Sequence, residues 1–380
     1  MERKMIEIVE AKTKKQMLDF VKFPLKLYRK NKNYVPSLTQ DEINITNPKK
    51  NLSLGTSEVK CFLAYKDGKL AGRICGIICH HSNEKNNEKA IRFSRIDMIN
   101  DIEVTKALLK AVEDYGREKG LELIQGPWGF DDADREGMLT QGFDEFSSYA
   151  TAYSFPYYHE HLEIVGGYEK ESEWLEYRLD PENTDPRFEK VAEMLQNRGY
   201  TDLTNKYSPS YIIKKYAKGF FECYNKAYAD LDNFIPVDEK REKSIISTFA
   251  TLINGKYFSV ITNKEGKVVA FGVGLPYVGD AIRKARGNLI FAVPGILKAK
   301  SNPRKVELAL IGVDPEYRNT GVHALVATKF IQNAKKDKLD DIFLDPTLTT
   351  NLKMLNTWQG MAKTLRCKRQ TYRKYLNKNN

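Results

Sequence analysis

The chain has little of what would staple it, span a bilayer or dissolve it. Only five of its 380 residues are cysteine, an odd count without a Cys-x-x-Cys pair. Cys75 and Cys79 stand four apart in an apolar run, which reads as buried, reduced thiols and excludes a disulfide scaffold. No apolar stretch approaches the roughly 20 residues of a membrane span. Met1-Glu2-Arg3-Lys4 leads into a charged amphipathic pattern in place of the apolar core of a secretory signal, so a cytoplasmic location is expected. Histidine is scarce, at five. His80-His81 leads into the polar stretch 82–89, and neither this pair nor His159 with His161 has a Cys or further His at ligand spacing, so no metal is expected. Glycine and proline, 24 and 14, are too few for a collagenous or low-complexity chain. Apolar and aromatic residues are plentiful: 41% of the chain is hydrophobic, with 21 Tyr, 18 Phe and 3 Trp. That suffices for real cores, and the length predicts two or three domains.

The basic excess is local. Of 61 Lys and Arg, seven lie in 281–305 and seven in 363–380, segments without a single acid; the other 47 face 50 Asp and Glu. Such segments attract the phosphates of a cofactor, an anionic membrane or a nucleic acid. No RRM, KH or helix-turn-helix pattern accompanies them, so nucleic acid is disfavoured.

The chain also repeats itself. Asn33-Tyr34-Val35-Pro36 returns as Asn233-Phe234-Ile235-Pro236, and Tyr28 as Tyr228, at an offset of 200. A strand, a tight turn at Asp67-Gly68 and a second strand over 70–78 return at 258–262 and 268–275. Ile91–Met98 and a helix over 102–119 return as Val306–Val313 and a helix over 322–336. The widened offset locates an insertion at 276–305, which is the first basic segment. Each half ends with a helix and a strand-like run, 168–179 and 364–375. This order favours duplication, with domains at 1–179 and 180–380 joined at the polar, proline-bearing Asp180–Asn183.

One motif carries chemistry. The buried strand Val306–Val313 runs through Asp314-Pro315-Glu316-Tyr317-Arg318-Asn319-Thr320-Gly321-Val322-His323 straight into a helix. Unpartnered N–H groups at such a helix start suit a pyrophosphate, and Gly321 allows close approach. Strand, Val-x-Pro-x-Tyr-Arg-x-x-Gly and helix resemble the acetyl-CoA-binding motif of the GCN5-related N-acetyltransferase (GNAT) superfamily, with His323 where that motif ends in Gly or Ala. The resemblance implies an α/β (α+β) fold of two tandem GNAT domains, each a mixed, mostly antiparallel sheet flanked by helices. It further implies that Ile311, Gly312 and Val313 pair with the pantetheine arm of acetyl-CoA or a longer acyl-CoA, and that Arg318, Asn319, Thr320, Gly321, Val322 and His323 hold its phosphates. Asn351 fits the family's Asn, but Trp358 stands where a proton-donating Tyr is usual, leaving Tyr372 or Tyr375 as substitutes. Glu307, eleven residues before Arg318, matches the spacing of a general base; strand alternation leaves open whether it faces the core or solvent.

The first half lacks this loop: Asp97 and Asp101 would repel a pyrophosphate. It has instead Gly126–Asp144, rich in Gly, Asp and aromatics, followed by Pro156-Tyr157-Tyr158. Asp134, Glu136, Tyr157 and Tyr158 are the residues expected to meet an amine. The run 126–158 is similar to a family of bacterial tandem acetyltransferase-fold proteins that includes bacterial ceramide synthases, a resemblance covering about 60–378. It implies N-acylation of a long-chain amine, such as a sphingoid-type lipid, by acyl-CoA. The insertion's apolar Leu289–Leu297, flanked by basic residues, reads either as a buried connector helix broken at Pro294 or as a contact with anionic membrane at its inner face. Two other readings stand beside the enzyme: a GNAT-fold binding protein without chemistry, and an aminoacyl-tRNA-dependent transferase.

Overall fold

The structure, a computed structural model, describes residues 6–231 and 234–376; Met1-Glu2-Arg3-Lys4, Asn233 and Lys378 lie outside the described residues. The first half forms β1 (Ile6–Glu10), α1 (Lys14–Leu27), α2 (Thr39–Ile43), β2 (Ser57–Lys66), β3 (Lys69–Cys79), α3 (His80–Asn86), β4 (Ala90–Met98), α4 (Ile102–Glu118), β5 (Leu123–Gly126), β6 (Met138–Gln141), α5 (Tyr157–Val165) and β7 (Glu169–Leu179). The second forms α6 (Arg187–Asn197), β8 (Thr201–Asp202), α7 (Pro209–Tyr228), α8 (Glu239–Phe249), β9 (Phe258–Thr262), β10 (Val268–Pro276), α9 (Gly279–Lys284), α10 (Leu289–Ser301), β11 (Lys305–Val313), α11 (His323–Asp337), β12 (Asp341–Leu344), β13 (Thr347–Leu348), α12 (Leu352–Gln359) and β14 (Ala362–Tyr375).

Local chemistry accounts for the boundaries. Thr13 and Gln16 form a reciprocal capping box that starts α1. Asp67 and Gly68, at φ +50° and +72°, supply the two left-handed residues of the two-residue turn between β2 and β3. Asp101 caps α4 by accepting from the N–H groups of Glu103 and Val104, and it also pairs with Lys66, so its charge is spent within the fold.

The chain divides into two compact units. The first holds residues up to Leu175, Gly279–Ala292 and the chain from Cys367; the second holds Glu176–Val278 and Val293–Arg366. The first unit's strands run β1-β2-β3-β4-β5-β14, and the second's run β7-β12-β11-β10-β9-β8. Each sheet is antiparallel except for one parallel pair, β4 with β5 and β11 with β12. The linker at Asp180 therefore lies close to one division between units, but the C-terminal part of β14 and the start of the insertion cluster with the first unit.

Three expectations change. The polar stretch after His80-His81 is the short helix α3. Pro294 lies inside α10 without breaking it, and only Ala292 of that helix is buried. Two of the seven basic residues of the second segment lie inside the protein: Arg366 and Arg369 are 2% and 1% exposed, Arg366 pairs with Glu176, and Arg369 donates to the Ala152 carbonyl. An interior strand cannot offer those charges to a phosphate. All five cysteines are buried free thiols, and burial raises Cys75 well above its ordinary value.

Candidate functional site

In the second unit, β11 is central and pairs with β10 from Val306 to Val313. One residue of β11, Ala309, is extra: Leu310 lies opposite Val273, and Leu308 opposite Gly274. A bulge of this kind bends the strand. On its other edge β11 pairs with β12 only from Lys305 to Leu308, and the Asp345 N–H closes the ladder on the Leu308 carbonyl at 3.2 Å. Beyond that point the two strands part. Leu308, Ala309, Leu310 and Ile311 are only half-buried although they lie on an interior strand, so the split is open to solvent. Tyr228, from the end of α7, donates its hydroxyl to the Ile311 carbonyl at 3.2 Å.

Glu307 lies where the strands begin to part. It is 7% exposed, which settles the alternation in favour of the core. Its neighbour across the parallel pair is Phe343, fully buried, with Tyr277 at 5.9 Å between ring centroids and the Arg366 guanidinium 4.7 Å from the same ring.

The loop after β11 is tightly built. Asp314 is almost wholly buried and is met by Lys226 at 3.3 Å and Lys267 at 3.2 Å. Burial alone would raise its carboxyl, but the Glu316 N–H and the two ammonium groups hold it below its ordinary value. Asn319 and Gly321 are left-handed, at φ +70° and +84°. A Cβ on Gly321 would come within 2.8 Å of Val191 on α6, so the glycine admits a neighbouring helix as well as a turn. His323 opens α11 with Phe188 of α6 edge-on at 6.0 Å, and burial lowers its pKa. Arg318 reaches away from the helix start, donating to the Ala227 carbonyl at 3.1 Å and lying 3.6 Å from Asp230. Gly312 is required by the Phe271 ring, 2.4 Å from where its Cβ would be. Asn351 caps α12, accepting from the Met354 N–H at 3.2 Å, and Trp358 packs in the core with its N–H on the Met354 sulfur.

The second unit thus brings Glu307, Ile311, Gly312, Val313 and the 318–323 loop onto one strand and the turn that follows it. Tyr375 belongs to the first unit, half-exposed and opposite Leu123 on β5. Tyr228 is the site hydroxyl that sequence reasoning missed, although its shared offset with Tyr28 had singled it out. The pairing of Arg366 with Glu176 carried no sequence signal, because the two come from strands 190 residues apart.

The first unit has the equivalent split, and its central strand is largely buried. β4 carries an extra residue against β3, with Arg95 at φ +49°, and the Trp128 N–H binds the Phe93 carbonyl as Asp345 binds Leu308. Arg92, 2% exposed, donates to the carbonyls of Gly129 and Phe130. Arg95 joins Glu42 at 3.1 Å to Asp134 at 3.0 Å. Arg73 joins Glu42 at 3.2 Å to Asp97 at 2.8 Å. Tyr28 donates to Asp97 at 3.0 Å and lies 2.8 Å from the Tyr158 hydroxyl, which accepts from the Met98 N–H. Burial works against the Glu42 carboxylate, but Arg95, Arg73 and Arg135 hold it down at about 2. Burial raises Asp97 despite Arg73. Asp134 and Tyr158 are therefore committed to bonds within the unit, and the half-buried Tyr157 donates to the Met98 carbonyl. Glu136 is half-buried beside Asp131, Asp132 and Asp134, and burial followed by those charges raises its carboxyl well above the usual range.

No protein-family model matches the chain. Protein YghO of Escherichia coli K12 is 25% identical over 355 residues, 90% of this chain and 88% of that protein. A bacterial ceramide synthase of Caulobacter vibrioides is 24% identical over 293 residues, 75% and 73% of the two chains. Among solved structures, a tandem GNAT protein from the clavulanic acid biosynthesis pathway superposes with a TM-score of 0.54 at 11% identity, over 99% of this chain and all of that one. The chain has the tandem GNAT fold. A GCN5-related N-acetyltransferase from Sphaerobacter thermophilus gives 0.51 at 11% identity, over 98% and 96% of the two chains. Of the two GNAT units, the second leaves its central strand half-buried beside the split, and the first buries most of its own.

Proposed function

We propose that the protein is an acyl-CoA-dependent N-acyltransferase, with acyl-CoA held along β11 of the second GNAT unit. The observation that carries this reading is the bulged, half-exposed edge of β11 from Leu308 to Ile311, running from a buried carboxylate to a helix N-terminus. The co-substrate supplies an acyl group as a thioester. Ala309–Val313 offer backbone groups to its extended arm, and the turn 319–323 offers N–H groups to its phosphates. Glu307 accepts the proton that the amine loses as its nitrogen attacks the thioester carbon and the C–S bond breaks. The relative named for ceramide synthesis supports a long-chain amine as acceptor and a long acyl chain as donor.

Calorimetric titration of CoA, acetyl-CoA and palmitoyl-CoA into the full chain tests the site, and thiol release with a long-chain amine tests the chemistry. The expected results are tighter binding of palmitoyl-CoA than of CoA, lost in Gly321→Glu. Failure of all three to bind overturns the assignment. A second reading, a GNAT-fold binding protein without chemistry, is favoured by Trp358 buried at the tyrosine position and by Arg318 turned toward Ala227. It predicts acyl-CoA binding with no thiol release for any amine.

A further inference from the structure

Helix α10 is built inside out. Its buried side is the single residue Ala292, while Leu289, Ile290, Phe291, Val293 and Leu297 are 48%, 80%, 75%, 41% and 54% exposed. At 100° per residue, Leu289, Ile290, Val293, Pro294 and Leu297 fall on one contiguous face; Phe291 lies just outside it, and the face's charge is confined to the last turn, where Lys300 falls on it and Lys298 beside it. Soluble proteins rarely leave so many large apolar side chains together in water. At its C-terminal end the face continues into an open groove of about 990 Å³, lined by Leu297, Pro209, Ile213, Lys214, Lys298 and Lys300.

The charges around this face select its occupant. No acid occurs between 281 and 305. Arg283 is taken by Asp280 and Arg304 by Asp340, but Lys284, Arg286 and Lys298 stand exposed at the two ends of the apolar face. Thirteen residues span about 20 Å at 1.5 Å each, too short to cross a bilayer, and no helix among the described residues is long and apolar enough to do so. A short helix with an apolar face and a basic rim lies in the plane of a membrane interface, side chains among the acyl chains and lysines at the headgroups.

We propose that α10 docks the protein onto an anionic lipid surface by inserting Leu289, Ile290, Val293 and Leu297, with Phe291 at the border of that face and Lys284, Arg286 and Lys298 meeting the headgroups. The inference does not depend on the acyl-CoA reading, and its test uses no acyl-CoA. The full chain is sedimented with phosphatidylcholine vesicles that contain or lack phosphatidylglycerol. Binding is expected only with phosphatidylglycerol and falls as salt rises. Ile290→Asp with Phe291→Asp is expected to weaken binding by at least about tenfold, and Lys298→Gln with Lys284→Gln by a smaller factor. Both pairs are exposed, so an unchanged melting curve accompanies the loss. In a separate Phe291→Trp variant, indole emission shifts to the blue on phosphatidylglycerol vesicles. Absence of binding to either vesicle overturns the proposal, as does binding that survives Ile290→Asp with Phe291→Asp. Wild-type dimers that this double variant converts to monomers, with no vesicle binding, would assign the face to a second copy of the chain.

Discussion

The two GNAT units solve the same geometric problem in opposite ways. Each has a central strand with one extra residue, a parallel neighbour that pairs briefly, and a split where the strands part. In the first unit the central strand is largely buried, and Arg92, Arg95 and Arg73 are bound up with the Gly129 carbonyl and with Glu42, Asp97 and Asp134. In the second, the corresponding strand Leu308–Ile311 stays half-buried beside Glu307. The difference teaches that two copies of one fold can leave the same strand exposed to different degrees, according to the side chains that surround it.

The sharpest way to break the comparison is chemical. Glu307→Gln is expected to lower acyl transfer by about 10²–10⁴-fold while leaving calorimetric acyl-CoA binding in place; unchanged turnover would remove the second unit's carboxylate from the mechanism. Next comes the buried network. Arg73→Met strands Asp97 without its cation, while Glu42 keeps Arg95, and should cost about 3–5 kcal/mol, read by urea unfolding through Trp128 and Trp174, which pack edge to face in the first unit. Gly321→Ala places a Cβ at φ +84° against Val191, with an expected loss of about 1–2 kcal/mol, read through Trp358 in the second unit.

Acid gives the gentlest test of the comparison. The lowered Glu42 contributes stability that is present above its unfolded pKa, about 4.3, and is lost as pH falls toward about 2. His323 has a lowered pKa because burial favours its neutral form, so its contribution is present above about 6.5 and is lost as pH falls through the lower folded value. His161 of the first unit is lowered by burial in the same way, so each unit carries a histidine phase, and His323→Gln should remove it from the Trp358 signal while leaving it in that of Trp128 and Trp174.

Much of this architecture is legible in one dimension. Strand alternation, the Asp67-Gly68 turn and the helix caps depend on neighbours a few residues apart, so hairpins, central strands and long helices fall where the pattern puts them. The repeat aligned Tyr28 with Tyr228, and each proves to reach the end of its central strand. Asp134 and Tyr158 looked like ligands because their partners, Arg95 and Tyr28, are far away in sequence. Arg366 and Arg369 looked like surface charge because nothing local says that β14 runs through an interior.

The sequence by itself determined the order of elements, the duplication, the loop that opens α11 and the apolar insertion, since each is written in spacing and composition. Only the tertiary structure decided which carboxylates are paired, that Glu307 is buried, that Arg318 turns toward α7 and that α10 presents its apolar side to solvent. Those outcomes rest on contacts between segments distant in the chain, where burial and charge pairing are set by packing and not by neighbours in sequence.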